Sequence, residues 1–103
     1  MIARHWRGLA KPECAADYEA HLRDETFPAL RRIQGFLGAE LLKRQAKDGI
    51  EFLVITRWVS LEAIERFAGA DHEAAVVPAQ AQAMMVEYDS RAAHYEVAEW
   101  PAR

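Results

Sequence analysis

The chain is poor in the residues that announce the commonest chemistries. A single cysteine, Cys14, among 103 residues allows no internal disulfide, and a reducing, cytoplasmic setting is expected. The five glycines lie scattered at turns and breaks, not gathered into a phosphate-cradling loop, so nucleotide and flavin binding have no local support. His5, His21, His72 and His94 are too far apart in sequence to form a ligand pair, and one thiol adds nothing; no metal and no cofactor are expected. No apolar run approaches the ~18 residues of a membrane span. Arg4, His5 and Arg7 break up the opening segment, where a signal-peptide core would otherwise lie. Neither sign of charge dominates: the net charge is -3, with no electrostatic reason to bind nucleic acid or an acidic membrane face. Repeats, low-complexity tracts and linkers are lacking too.

What the chain does have is apolar residues, 51% of the total, enough for one core and too few for two. Residues 1–103 are therefore read as one domain. They are organised around residues 50–75. The first part of that stretch, residues 51–59, is rich in β-branched and aromatic side chains, as a strand requires. Phe52, Val54 and Trp58 point to one side and Leu53 and Ile55 to the other, so both faces of this strand need a cover. Ser60 caps the next segment, in which Leu61, Ile64, Phe67 and Ala68 recur at helical spacing up to the break at Gly69.

Before this stretch, residues 2–9 read as a strand with Ile2, Arg4, Trp6 and Gly8 on one face and Ala3, His5, Arg7 and Leu9 on the other. Pro12 opens a helix whose stripe runs through Ala15, Tyr18, Leu22, Thr26, Ala29 and Ile33, with a kink or break expected near Pro28 and an end at Gly35. Residues 36–45 form a second strand, joined to the third by an Asp48-Gly49 hairpin turn. Beyond Gly69, another helical turn is expected over 71–77. Ala81, Met84, Met85 and Tyr88 then predict a helix over 79–88, and residues 91–97 a last strand. The order strand, helix, strand, strand, helix, strand gives an α+β, ferredoxin-like fold: a four-stranded antiparallel sheet with its helices on one face. The other face remains apolar, and a second copy packed sheet against sheet is its simplest cover; a homodimer is expected.

The pattern Trp58-x-Ser60-x-Glu62-Ala63-x-x-x-Phe67-x-Gly69-x-Asp71, then Ala75-Val76-Val77-Pro78 and His94-Tyr95-Glu96-Val97, resembles the antibiotic biosynthesis monooxygenase family. Trp6-Arg7-Gly8 and Lys11-Pro12-Glu13 are similar to its first strand and helix start, so the likeness covers nearly the whole chain. It implies a dimeric α+β barrel with a pocket in each subunit between sheet and helices, open to a small apolar or aromatic ligand. Branches of the family include cofactor-independent oxygenases of aromatic polyketides, heme-degrading enzymes, and small binders. The heme-degrading branch uses an Asn on the first strand, a Trp after the third and a His beyond it. Those positions carry Trp6, Phe67 and Val77 here, which argues against heme degradation.

An oxygenase must hold an electron-rich phenol, remove its proton and stabilise the anion. Trp6, Tyr18, Trp58, Phe67, Tyr88 and Tyr95 are the candidate walls. His94 is the candidate base, with His72 a second at the pocket mouth, and Arg7 or Arg57 would steady a phenolate. Each has a plainer reading. Trp6, Trp58, Tyr95 and the Met84-Met85 pair also suit packing. His94 suits a hydrogen-bonded histidine at the dimer face, His72 a polar helix start, and His21 a solvated ionic stripe with Asp17, Asp24 and Glu25. His5 has no obvious partner, and Cys14 reads as an idle thiol. The rival to an enzyme is a non-catalytic, ligand-binding homodimer on the same scaffold.

Overall fold

Strand β3, Ile50–Trp58, forms as the run of β-branched and aromatic residues requires, and it sits inside the sheet with both edges paired. The computed structural model describes residues 1–101. Strand β1, Ile2–Ala10, pairs antiparallel with β3, setting Trp6 opposite Val54 and Arg4 opposite Thr56. Strand β2, Phe36–Gln45, lies on the far edge of β3 and joins it through a turn closed by Ala46 N–H donating to the Gly49 carbonyl at 2.8 Å. Helices α1 (Ala15–His21) and α2 (Phe27–Leu30) follow β1, and α3 (Leu61–Ala68) follows β3. Ser60 caps α3 as expected, its Oγ accepting from Ala63 N–H at 3.2 Å. The result is an α+β, ferredoxin-like architecture in the order β2-β3-β1, with a fourth position beside β1 split between two short strands.

That split corrects the expected helix over 79–88. Helix α4 is short, Ala79–Gln82, and the chain turns at once into strand β4, Met85–Tyr88, which pairs with the second half of β1. A bulge in this ladder lets Met85 face Ala10 and Tyr88 face Gly8, both on the covered side of the sheet. A bulged strand therefore reproduces the three-residue spacing of a helix, and the sequence alone could not separate the two. Strand β5, Ala93–Glu96, shorter than the expected 91–97, pairs with the first half of β1. Residues 71–77 are not a helical turn but an irregular connection tied down by a bridge between Ala74 and Arg91.

Pro28 has the predicted cause and an unpredicted effect. It cannot donate to Asp24, yet the helix does not break; it widens into a π turn over Leu22–Thr26, with Phe27 N–H reaching back five residues to the Leu22 carbonyl.

The helices cover the face that carries Trp6, Phe52, Val54, Thr56 and Trp58. Two core clusters form there. One gathers Tyr18, Leu22, Phe52, Val54 and Met85; the other gathers Leu30, Trp58, Ala63 and Ile64. Phe52, Trp58 and Ile64 are almost completely enclosed, and burying an aliphatic or Phe side chain of this kind contributes about 1.5–3 kcal/mol. Between the clusters the Trp6 indole lies along its own strand above Gly8, donating Nε1–H to the Asp89 carbonyl at 2.8 Å. A methyl group on Gly8 would stand 2.5 Å from Trp6 Cη2, whereas one on Gly38 would meet nothing within 4 Å. Gly8→Ala is therefore expected to displace the indole and cost about 1–3 kcal/mol in urea unfolding. Gly38→Ala should change little, and equal behaviour of the two variants would contradict this packing.

Candidate functional site

The seam between the two core clusters is hollow. Arg4 and Trp6 of β1 with Val54 and Thr56 of β3 form the floor of a cavity of about 70 Å³, roofed by helical residues and Phe67. Thr26, Leu30, Phe67 and Val76 also border a wider mouth of about 270 Å³, where His21, Ile33 and Pro78 stand. The π turn supplies both Leu22 and Thr26 to the roof, so the widened helix and the cavity occur together. Trp58 lies behind Phe67, the rings stacked at 6.0 Å, and donates Nε1–H to Thr56 Oγ1 at 2.8 Å. With that oxygen engaged as acceptor, the Thr56 hydroxyl retains its own proton to donate.

Arg4 is the charged group of the floor and is only 5% exposed. Its Nη1 donates to the His72 carbonyl and to His94 Nε2, the latter at 2.9 Å, and its Nη2 to the Ala74 carbonyl at 2.8 Å. The guanidinium also lies over the Phe67 ring, 5.6 Å from its centroid. An arginine cannot accept a hydrogen bond, so His94 Nε2 must be the acceptor and the His94 proton resides on Nδ1. The cross-strand register imposes this meeting, since Arg4 pairs with His94 across the β1–β5 ladder. His72 stacks on His94 with ring centroids 5.5 Å apart. Two histidines far apart in sequence are thus neighbours in space. His72 Nδ1 is buried without a hydrogen-bond partner, 3.7 Å from Glu65.

The predicted site residues divide by sheet face. Trp6 and Phe67 reach the cavity. Tyr88 stands behind Trp6 at 6.2 Å, Tyr18 is sealed against Phe52 at 5.0 Å, and Trp58 is fully enclosed; these three support the walls without touching the hollow. Burial pushes the Tyr18 hydroxyl well above its ordinary range, so it stays protonated. Arg7, Arg57 and Tyr95 lie on the opposite, open face and are not brought to the cavity. Arg7 pairs with Glu51 at 2.6 Å, Arg57 with Glu40 at 3.0 Å, and Tyr95 packs edge-on to His5 at 4.9 Å. His94 is not at the open face as its plainer reading held; it shares the covered face with Arg4, and its accepting nitrogen is occupied. His21 is not solvated but 8% exposed, holding Glu25 at 3.1 Å beside the mouth. Arg4 and Thr56 were missed as site residues, although alternation placed Arg4 on the face of Trp6.

Comparison with known proteins agrees with the fold. The family model described as antibiotic biosynthesis monooxygenase matches residues 1–79. No curated protein matches the chain. Among solved structures, one from Deinococcus radiodurans, provisionally described there as an antibiotic biosynthesis monooxygenase, superposes with a TM-score of 0.70 at 21% identity, covering 100% of this chain and 98% of that one. A point mutant of SnoaB, a cofactor-independent oxygenase from Streptomyces nogalater, gives 0.69 at 16% identity over 96% of this chain and 94% of that one. The heme-degrader MhuD from Mycobacterium tuberculosis gives 0.63 at 20% identity over 99% and 100%. At such identities the likeness establishes the fold.

Burial, then the Arg4 cation and then His72, hold the His94 pKa below its usual 6.5, with Glu73 opposing them. As pH falls through 6.5, the unfolded chain takes up a proton that folded His94 refuses, so the stability that neutral His94 contributes is full above that pH and is lost below it. His94→Gln keeps an acceptor for Arg4 and removes the titration. Melting temperature should fall less steeply with acid in this variant than in the parent between about pH 7 and pH 5; identical slopes would show that His94 is not held neutral.

Proposed function

This chain belongs to the antibiotic biosynthesis monooxygenase family, and on that premise we propose that it is a cofactor-independent monooxygenase of a small aromatic, polyketide-like substrate. The observation that carries this reading is the apolar hollow between sheet and helices, walled by Trp6 and Phe67. Flat walls of this kind take a flat ligand and keep water from it. The substrate itself supplies the electrons. Loss of a proton gives an electron-rich anion, which reduces oxygen, and overall a CH2 group and O2 become C=O and water. Proton removal is assigned to His21, which borders the mouth and is oriented by Glu25 at 3.1 Å, ahead of His94 and His72, which do not line the hollow.

An oxygen electrode with anthrone as substrate tests this. Oxygen uptake with formation of the quinone is expected, and His21→Ala should lower the rate about a hundredfold or more. The second reading, a binding protein without turnover, is favoured by the engagement of His94 Nε2 with Arg4. It prevails if anthrone raises the melting temperature while no oxygen is consumed.

The open face of the sheet supports the homodimer. Leu42 and Tyr95 are 46% and 55% exposed there, beside half-buried Leu53 and Ile55. A second copy laid on this patch would cover all four. Sedimentation should show a dimer that Ile55→Asp converts to a monomer; a well-folded single copy of the parent at high dilution would refute it.

A further inference from the structure

We propose that the ligand of the cavity is an anion, an aromatic carboxylate or phenolate whose oxygen is received by Arg4. This rests on the reading of the hollow as a site for a small aromatic molecule and adds the charge that molecule must carry.

The charge of Arg4 is met only at a distance, by Glu73, and by no ion pair among the described residues. A guanidinium is always protonated and carries five N–H donors. Arg4 spends two of Nη1 on the His72 carbonyl and His94, and one of Nη2 on the Ala74 carbonyl. Nε–H and one Nη2–H have no acceptor among the described residues. Neutral acceptors satisfy donors but do not cancel the charge. The nearby acid is Glu73, and its carboxylate is itself 3.4 Å from Arg91. No carboxylate of the described residues forms an ion pair with Arg4.

A buried cation without a counter-charge is costly, because the low dielectric that strengthens attraction also magnifies its desolvation. The chain nevertheless holds Arg4 between the 72–74 connection, β5 and the Phe67 ring, on the lining of a hollow that is otherwise mostly apolar. An arrangement that fixes a cation, faces it with aromatic walls and pairs it with no anion lacks only what the ligand brings. An aromatic acid supplies both parts. Its ring lies between Trp6 and Phe67, and its oxyanion takes the free donors of Arg4, with the Thr56 hydroxyl within the same floor. His94 is a positioning residue: its neutral Nε2 holds Nη1, and protonation would set one cation against another.

The probes are 1-naphthoate, 1-naphthol and neutral 1-naphthylmethanol, titrated into the full chain and followed by tryptophan fluorescence and melting temperature. Naphthoate is expected to bind about ten- to a hundredfold more tightly than naphthylmethanol, as charged hydrogen bonds in a dry site allow. If phenolates are also received, bound naphthol should ionise at lower pH than in solution, seen in its absorbance; carboxylate preference without this shift narrows the class to carboxylates. Arg4→Gln should abolish the preference for charge while naphthylmethanol binding persists. Should that variant not fold, Arg4→Lys and the charged-against-neutral comparison in the parent still decide the matter. Equal binding of naphthoate and naphthylmethanol overturns the anion assignment alone, whereas no binding of any probe overturns the aromatic site as well.

Discussion

Arg4 stands on a strand paired along both edges, with Thr56 opposite it on β3 and His94 opposite it on β5. Enclosing a guanidinium there obliges the chain to furnish acceptors, and it does so with main-chain carbonyls from the connection after α3 and with an imidazole from the last strand. Two segments distant in sequence are thereby tied to one side chain. The connection over 71–77 has little regular structure, and the Ala74–Arg91 bridge with the Arg4 contacts is what sets its path.

Around that tie the two core clusters divide the labour. The Tyr18–Phe52–Met85 group fastens α1 and β4 to the sheet, and the Trp58–Ile64 group fastens α2 and α3. Phe27 packs against both, yet the seam between them is left partly unfilled. Hollow space is tolerated where rigid aromatic neighbours on both sides prevent collapse. The Trp58 indole serves both ends of this logic, stacking beneath Phe67 and engaging the hydroxyl of Thr56.

Much of this was legible beforehand, and the failures have physical causes. Alternation in β1 and β3, the Asp48-Gly49 turn, the Ser60 cap and the Gly35 and Gly69 breaks located the elements; Gly35 adopts the positive φ for which it was read, and Gly69, read only as a breaker, adopts one too. The stretch 79–88 misled because Met85 and Tyr88 share a face through a bulge, which imitates helical periodicity. Alternation also showed Arg4 and Trp6 on one face, yet the charge for the site was sought in Arg7 and Arg57. Those two are engaged by Glu51 and Glu40 across strands. Period alone could not say which face of β1 the helices would cover; the packing of Trp6, Phe52 and Val54 with Tyr18 and Leu22 fixes it. The approach of His72 to His94 is a tertiary consequence with no local signature.

The π turn over Leu22–Thr26 spreads five residues where an α-helix would need fewer to complete the same rotation. In effect the helix carries one surplus residue at this point. Excising a residue there would restore an ordinary helix and leave the upstream segment, with Tyr18 and His21, in nearly the same phase relative to α2. The bulge of the roof over the cavity is thus the work of a single peptide unit, one that could be removed without turning the rest of the helix.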